Sequence, residues 1–108
     1  MSYSIIPTPN FETELKRLSK KYPSLKSEIT ALGASLKELP FQGVLIFKNC
    51  YKIRVSVKSK GQGKSGGARL ITYVKVQNER VYLLSIYDKS EKTTVSDKNL
   101  QHLLRDLP

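Results

Sequence analysis

Residues 51 to 58 read Tyr51-Lys52-Ile53-Arg54-Val55-Ser56-Val57-Lys58. Tyr51, Ile53, Val55 and Val57 alternate with Lys52, Arg54, Ser56 and Lys58, and successive strand side chains point to opposite faces. The segment therefore predicts a half-buried strand with an apolar side and a cationic side. Downstream, Arg69 to Gln77 and Val81 to Asp88 read as two more strands. Asn78 and Glu79 make the turn between them, so the two pair as an antiparallel hairpin.

Upstream of this stretch the period is helical. Phe11, Leu15, Leu18 and Tyr22 recur on one side of a helix, with Thr8 as its cap and Pro9 as its first residue. Pro23 ends that run, and Leu25, Ile29, Leu32, Leu36 and Leu39 form a second stripe that Pro40 stops. Tyr3 to Ile6 is a short strand ended by Pro7, and Ser96 caps a last helix carrying Leu100, Leu103, Leu104 and Leu107. The order is strand, two helices, three strands, helix. That predicts an α+β fold spanning residues 1–108 as a single domain, with an antiparallel sheet covered on one face by an N-terminal helical hairpin and a C-terminal helix.

The 108 residues suffice for one domain. A lone cysteine, Cys50, excludes an internal disulfide, and no apolar run reaches the length of a membrane span. The first ten residues lack the layout of a signal peptide, so the expected location is the cytoplasm and no membrane partner is expected. Charge is the first sign of function. The chain carries 19 Lys and Arg against 9 Asp and Glu, a net charge of +10. No acidic residue occurs between Glu38 and Glu79, whereas Lys48, Lys52, Arg54, Lys58, Lys60, Lys64, Arg69 and Lys75 all do. A merely soluble surface mixes its signs; a segregated surplus collects polyanions, of which nucleic acid is the commonest.

The period-two rule assigns the faces. Leu70, Thr72, Val74 and Val76 are expected to meet the helices, which turns Arg69, Ile71, Tyr73 and Lys75 the other way. In the next strand Tyr82, Leu84 and Ile86 are expected inside, with Ser85, Tyr87 and Lys89 outside. With Lys52, Arg54 and Lys58 this gives an open face of cations interleaved with tyrosines. Cations hold phosphates, and aromatic rings stack on exposed bases.

The loop from Lys58 to Gly67 contains a literal G-x-G-x-x-G at Gly61, Gly63 and Gly66. A dinucleotide site needs a strand before it and a helix after it, and here a strand follows. Gly63-Lys64-Ser65 fails as a phosphate-binding P-loop too, because Lys58 stands where its first glycine belongs. What survives is a basic hairpin loop suited to a phosphate backbone, or a plain connector. His102 is the one histidine and fits a helix surface; Cys50 fits a small buried residue. No His, Cys or carboxylate cluster has metal-ligand spacing, so neither a metal nor a small-molecule cofactor is expected. Arg, Lys and Tyr remain, and they suffice for one reaction: attack of an RNA 2′-hydroxyl on its own adjacent phosphate.

Lys52-Ile-Arg-Val55, Gly66-Gly-Ala-Arg-Leu-Ile-Thr-Tyr73 and Leu84-Ser-Ile-Tyr-Asp-Lys-Ser-Glu91 resemble segments of the RelE/ParE toxin superfamily, closest to its RelE and HigB-like branch. The resemblance implies the RelE-like fold and a type II toxin that cuts mRNA on the ribosome without a metal, held inactive by a cognate acidic antitoxin. It also implies that Arg69 and Arg54 hold the scissile phosphate and that Tyr87 and Lys89 form the acid/base end of the site. Lys52, Lys58, Lys60, Lys64, Tyr73 and Lys75 are then expected to bind mRNA or ribosomal RNA. Two rival expectations are the gyrase-poisoning branch of the same fold and a non-catalytic RNA-binding module.

Overall fold

Thr8 fixes the start of the helical layer. In the computed structural model, which describes residues 2–61, 66–92 and 94–107, Thr8 Oγ1 accepts the Phe11 N–H at 3.3 Å and donates to the Leu83 carbonyl at 2.8 Å. Pro9 then opens helix α1, Pro9–Lys21. One hydroxyl thus caps the helix and ties it to a strand. Helix α2, Leu25–Glu38, follows across a short turn. Phe11 and Leu18 from α1 and Leu25, Ile29 and Leu36 from α2 are buried in one core. Leu39 lies beyond the last turn of α2 and is 63% exposed, against its place in the predicted stripe.

Five strands form the sheet: β1 (Ser4–Pro7), β2 (Val44–Phe47), β3 (Cys50–Val55), β4 (Ala68–Lys75) and β5 (Arg80–Asp88), in the order β1-β5-β4-β3-β2. Three points correct the sequence reading. β2 was not predicted, because Val44-Leu45-Ile46-Phe47 is a continuous apolar run with no alternation to betray it. It pairs with β3 through a turn at Lys48 and Asn49, where Asn49 takes the left-handed conformation at φ 57°. The sheet is also mixed, since β1 lies parallel to β5 while every other pair is antiparallel. Finally, both faces are covered. The helical hairpin packs on one, and helix α3, Asp97–Arg105, packs on the other through Leu100. Its predicted cap is in place, with Ser96 Oγ accepting the Asn99 N–H at 3.1 Å.

A bulge in β5 rearranges the faces. Ile71 pairs with Ser85 but the next residue, Thr72, pairs with Leu83, which leaves Leu84 without an opposite number. Strict alternation is broken there. Val81, Leu83 and Ile86 face the helical hairpin, whereas Tyr82, Leu84 and Tyr87 join Cys50, Ile71, Val95 and Leu100 beneath α3. The expected grouping of Tyr82, Leu84 and Ile86 is thereby overturned. α1 supplies the bulge with polar partners: Glu14 Oε1 accepts from Ser85 Oγ at 2.8 Å and Ile86 N at 3.2 Å, and Asn10 Nδ2 donates to the Leu84 carbonyl at 2.9 Å. In β4, Leu70 and Val74 face the hairpin as expected. Val76 does not; β4 stops at Lys75 and Val76 enters a 3₁₀ turn, 57% exposed. Among the described residues, no helix is long and apolar enough to cross a membrane.

Candidate nucleic-acid interface

Strand register brings the central residues together. Ile53 and Val55 enter the hairpin-side core, so Lys52 and Arg54 between them face the other way. Arg54 lies directly opposite Arg69, and Arg69 directly opposite Tyr87, making one row across β3, β4 and β5. Like charges placed directly opposite in a sheet oppose folding. The two planar forks on adjacent strands have the geometry to hold an anion between them. Arg54 is exposed and Lys52 half-buried.

Arg69 and Tyr87 differ from the open-face expectation. Arg69 is only 4% exposed, and its Nη1 donates to the Ala68 carbonyl at 3.1 Å. Tyr87 is 2% exposed and packs in the core that includes Val95 and Leu100. The Lys92 ammonium stands 5.0 Å from the centre of its ring, a cation–π contact that no local pattern encodes. The Tyr87 hydroxyl has no hydrogen-bond partner among the described residues. Burial pushes its pKa above the ordinary phenol value, and the Arg69 guanidinium offsets only part of that. At neutral pH the Tyr87 phenol stays protonated.

Lys89 continues the ladder by one residue, its N–H donating to the Gly67 carbonyl at 3.1 Å. Gly67 passes so close to β3 that a Cβ there would collide with the Val55 carbonyl, so only glycine brings Ala68 and Arg69 into register. The half-buried Lys89 follows Tyr87 by two, which puts both on one face while the pleat holds.

Lys60 corrects its predicted role. Its ammonium is not available to RNA: it donates to Asp88 Oδ1 at 2.5 Å and to the carbonyls of Gly66 at 2.6 Å and Gly67 at 3.3 Å. The Lys60 side chain is 9% exposed and that of Asp88 1%. Asp88 also accepts from Tyr22 Oη at 2.6 Å, from Ser90 N at 2.9 Å and from Ser90 Oγ at 2.7 Å. Burial alone raises a carboxyl pKa, but here the donors from Lys60, Tyr22 and Ser90 outweigh it and hold Asp88 well below the usual carboxylate range. This clasp joins both ends of the basic loop to α1 and β5. Tyr22 and Asp88 lie too far apart in sequence for any periodicity to link them.

The other cations divide. Lys58 is exposed, and its backbone N–H donates to Glu28 Oε2 at 2.8 Å. Lys64 lies outside the described residues. Tyr73 and Lys75 share the face of Arg69 but not its neighbourhood. Six residues of strand separate Lys75 from Arg69, about 20 Å at the usual rise, so these two leave the central group. Cys50 is fully buried, and burial pushes its thiol up to about 11. Among the described residues, no three His, Cys, Asp or Glu side chains could hold a metal ion together.

The arrangement defines a class by its fold: a five-stranded sheet between a helical hairpin and one helix, with a cationic row across its middle. That is the fold of the RelE toxins. An Escherichia coli RelE variant with two arginines changed to alanine, in the free state, superposes with a TM-score of 0.65 at 14% identity, covering 100% of both chains. The isolated E. coli RelE toxin gives 0.57 at 20% identity over 98% of this chain and 100% of that one. A RelBE toxin–antitoxin complex from Mycobacterium tuberculosis gives 0.57 at 13% identity over 82% and 99%. No protein-family model matches the sequence. At these identities the likeness is one of fold.

Proposed function

We propose that this chain is the toxin of a type II toxin–antitoxin system and a ribosome-dependent, metal-free mRNA endonuclease that stops translation. The observation that carries the reading is the row Arg54–Arg69–Tyr87 across three adjacent strands: two guanidinium groups beside a phenol kept protonated. Fold likeness to RelE toxins supports it. That one of the similar structures is a toxin–antitoxin complex supports a cognate antitoxin as partner, and a net charge of +10 suits an acidic one.

Once the ribosome presents the message, the chemical step uses these side chains and the RNA's own 2′-hydroxyl. The 2′-oxygen attacks the adjacent phosphorus while the bond to the 5′-oxygen breaks, leaving a 2′,3′-cyclic phosphate and a 5′-hydroxyl. Arg54 and Arg69 neutralise the phosphorane oxygens. Lys89 takes the 2′-hydroxyl proton, and Tyr87 gives its own to the departing 5′-oxygen. Proton return from Lys89 to Tyr87 restores both. Since Val95 and Leu100 pack with Tyr87, the phenol meets substrate only after that cover shifts.

Purified chain added to programmed ribosomes should cut the message in the presence of chelator and leave cyclic-phosphate ends, and a 2′-deoxy residue at the cut site should abolish cutting. Cleavage of the deoxy message would remove the mechanism. Pulse labelling after expression should show protein synthesis stopping first; blocked DNA replication with normal translation would move the chain to the gyrase-poisoning class.

A further inference from the structure

The sheet carries a second pair of facing cations. Lys75 at the end of β4 lies directly opposite Arg80 at the start of β5, the same costly like-charge geometry as Arg54 and Arg69. Neither Lys75 nor Arg80 forms a salt bridge among the described residues, where the two ion pairs are Arg17 with Glu91 and Lys60 with Asp88. Lys75 lines a pocket of about 230 Å³ with Tyr73, Tyr82, Leu104 and Leu107. Arg80 Nη1 donates to the Tyr82 hydroxyl at 3.3 Å, so its guanidinium sits on the same face. The Tyr73 and Tyr82 rings are 6.1 Å apart, and Tyr73 is half-buried, with part of its surface left open. Cations beside an aromatic surface form a place for a phosphate and its adjoining base. Asp106 lines the neighbouring cavity, beyond Tyr82 and Leu107.

We propose that Lys75, Arg80 and Tyr73 form a second RNA subsite, which takes a phosphodiester and the neighbouring base of a single strand held at Arg54 and Arg69. The proposal rests on the reading of the chain as an RNA-cutting toxin and extends it. The direct line of about 20 Å along β4 is covered by α3 over Ile71 and Leu84. The linking strand therefore passes round the helix and is longer than the straight path of about six stacked nucleotides. A strand of that length is anchored at both ends, and each anchor raises the effective concentration of the other.

The probes are 2′-O-methyl oligonucleotides of four and ten residues, which the proposed reaction cannot cut, and binding is followed by fluorescence anisotropy over a range of salt. Lys75→Met/Arg80→Met should lower the salt slope for the ten-residue probe by about 0.7, the value for one phosphate contact. The gain in affinity from four to ten residues should largely disappear. Tyr73→Leu should weaken the long probe about tenfold with its slope unchanged, as expected for lost stacking. If the double variant does not fold, Lys75→Gln alone should lower the slope by part of that amount and weaken the ten-residue probe more than the four-residue one. An unchanged slope in a folded variant overturns the subsite and leaves the cutting activity standing. Failure of the unaltered protein to bind either probe overturns the subsite as well, and the ribosome assay then decides the endonuclease reading independently.

Discussion

Asp88→Asn tests the clasp that closes the basic loop. The substitution keeps the shape of the side chain and removes its charge, leaving the Lys60 ammonium without its counter-ion in a site where the lysine side chain is 9% exposed. Breaking a buried ion pair by removing one partner costs about 3–5 kcal/mol. Lys60 keeps the Gly66 and Gly67 carbonyls, so the loss belongs at the lower end, about 3 kcal/mol. That is a large share of the roughly 5–15 kcal/mol that holds a domain of this size together. Lys60→Met should cost a similar amount by stranding the carboxylate, and the double variant should be more stable than the sum of the two losses implies, by about 2 kcal/mol of coupling. The pH dependence has a definite sign. The folded pKa of Asp88 is depressed, so its contribution is fully present above the unfolded value of about 3.9 and fades as pH falls below it. Urea unfolding should therefore show the Asp88→Asn deficit shrinking from pH 7 to pH 3. A variant within about 0.5 kcal/mol of the parent at pH 7, the scatter of an ordinary surface change, would refute the reasoning, as would a deficit that does not change with pH.

Arg69→Ala should lower ribosome-dependent cleavage by about 10²–10³, the usual loss for one preorganised oxyanion donor, measured by primer extension on a defined message. Arg69→Lys should recover little, because an ammonium cannot reproduce two-point contact; full activity in a folded Arg69→Ala protein would exclude its phosphate role. Lys58 and Lys60 should separate cleanly despite lying two residues apart. Lys58→Gln should lower the salt slope of RNA binding by about 0.7 with little change in stability, whereas Lys60→Gln should unfold at lower urea. A slope unchanged by Lys58→Gln would mean that the loop is only a connector.

Most of the fold was legible in local pattern, and what was missed has one physical origin. Caps such as Thr8 and Ser96 and the stripes of α1 and α3 are properties of neighbouring residues, so the chain announces them. β2 escaped because a strand that is apolar throughout shows no period. The parallel pairing of β1 with β5 joins segments from opposite ends of the chain, and nothing local encodes it. The bulge at Leu84 had the widest effect. It put Tyr82 and Leu84 on the α3 side with Tyr87 while Ile86 stayed against the hairpin, and the cover of α3, not the bulge, buries Tyr87. Charge behaved in the same way. The empty interval between Glu38 and Glu79 advertised a cationic region, but its sequence does not distinguish a lysine that clasps Asp88 from one that faces water. Only register separates these roles. It sets Arg54 against Arg69 and Lys75 against Arg80, two repulsive pairs on one sheet face that stability alone would disfavour. The phosphate proposed at each pair would offset that repulsion.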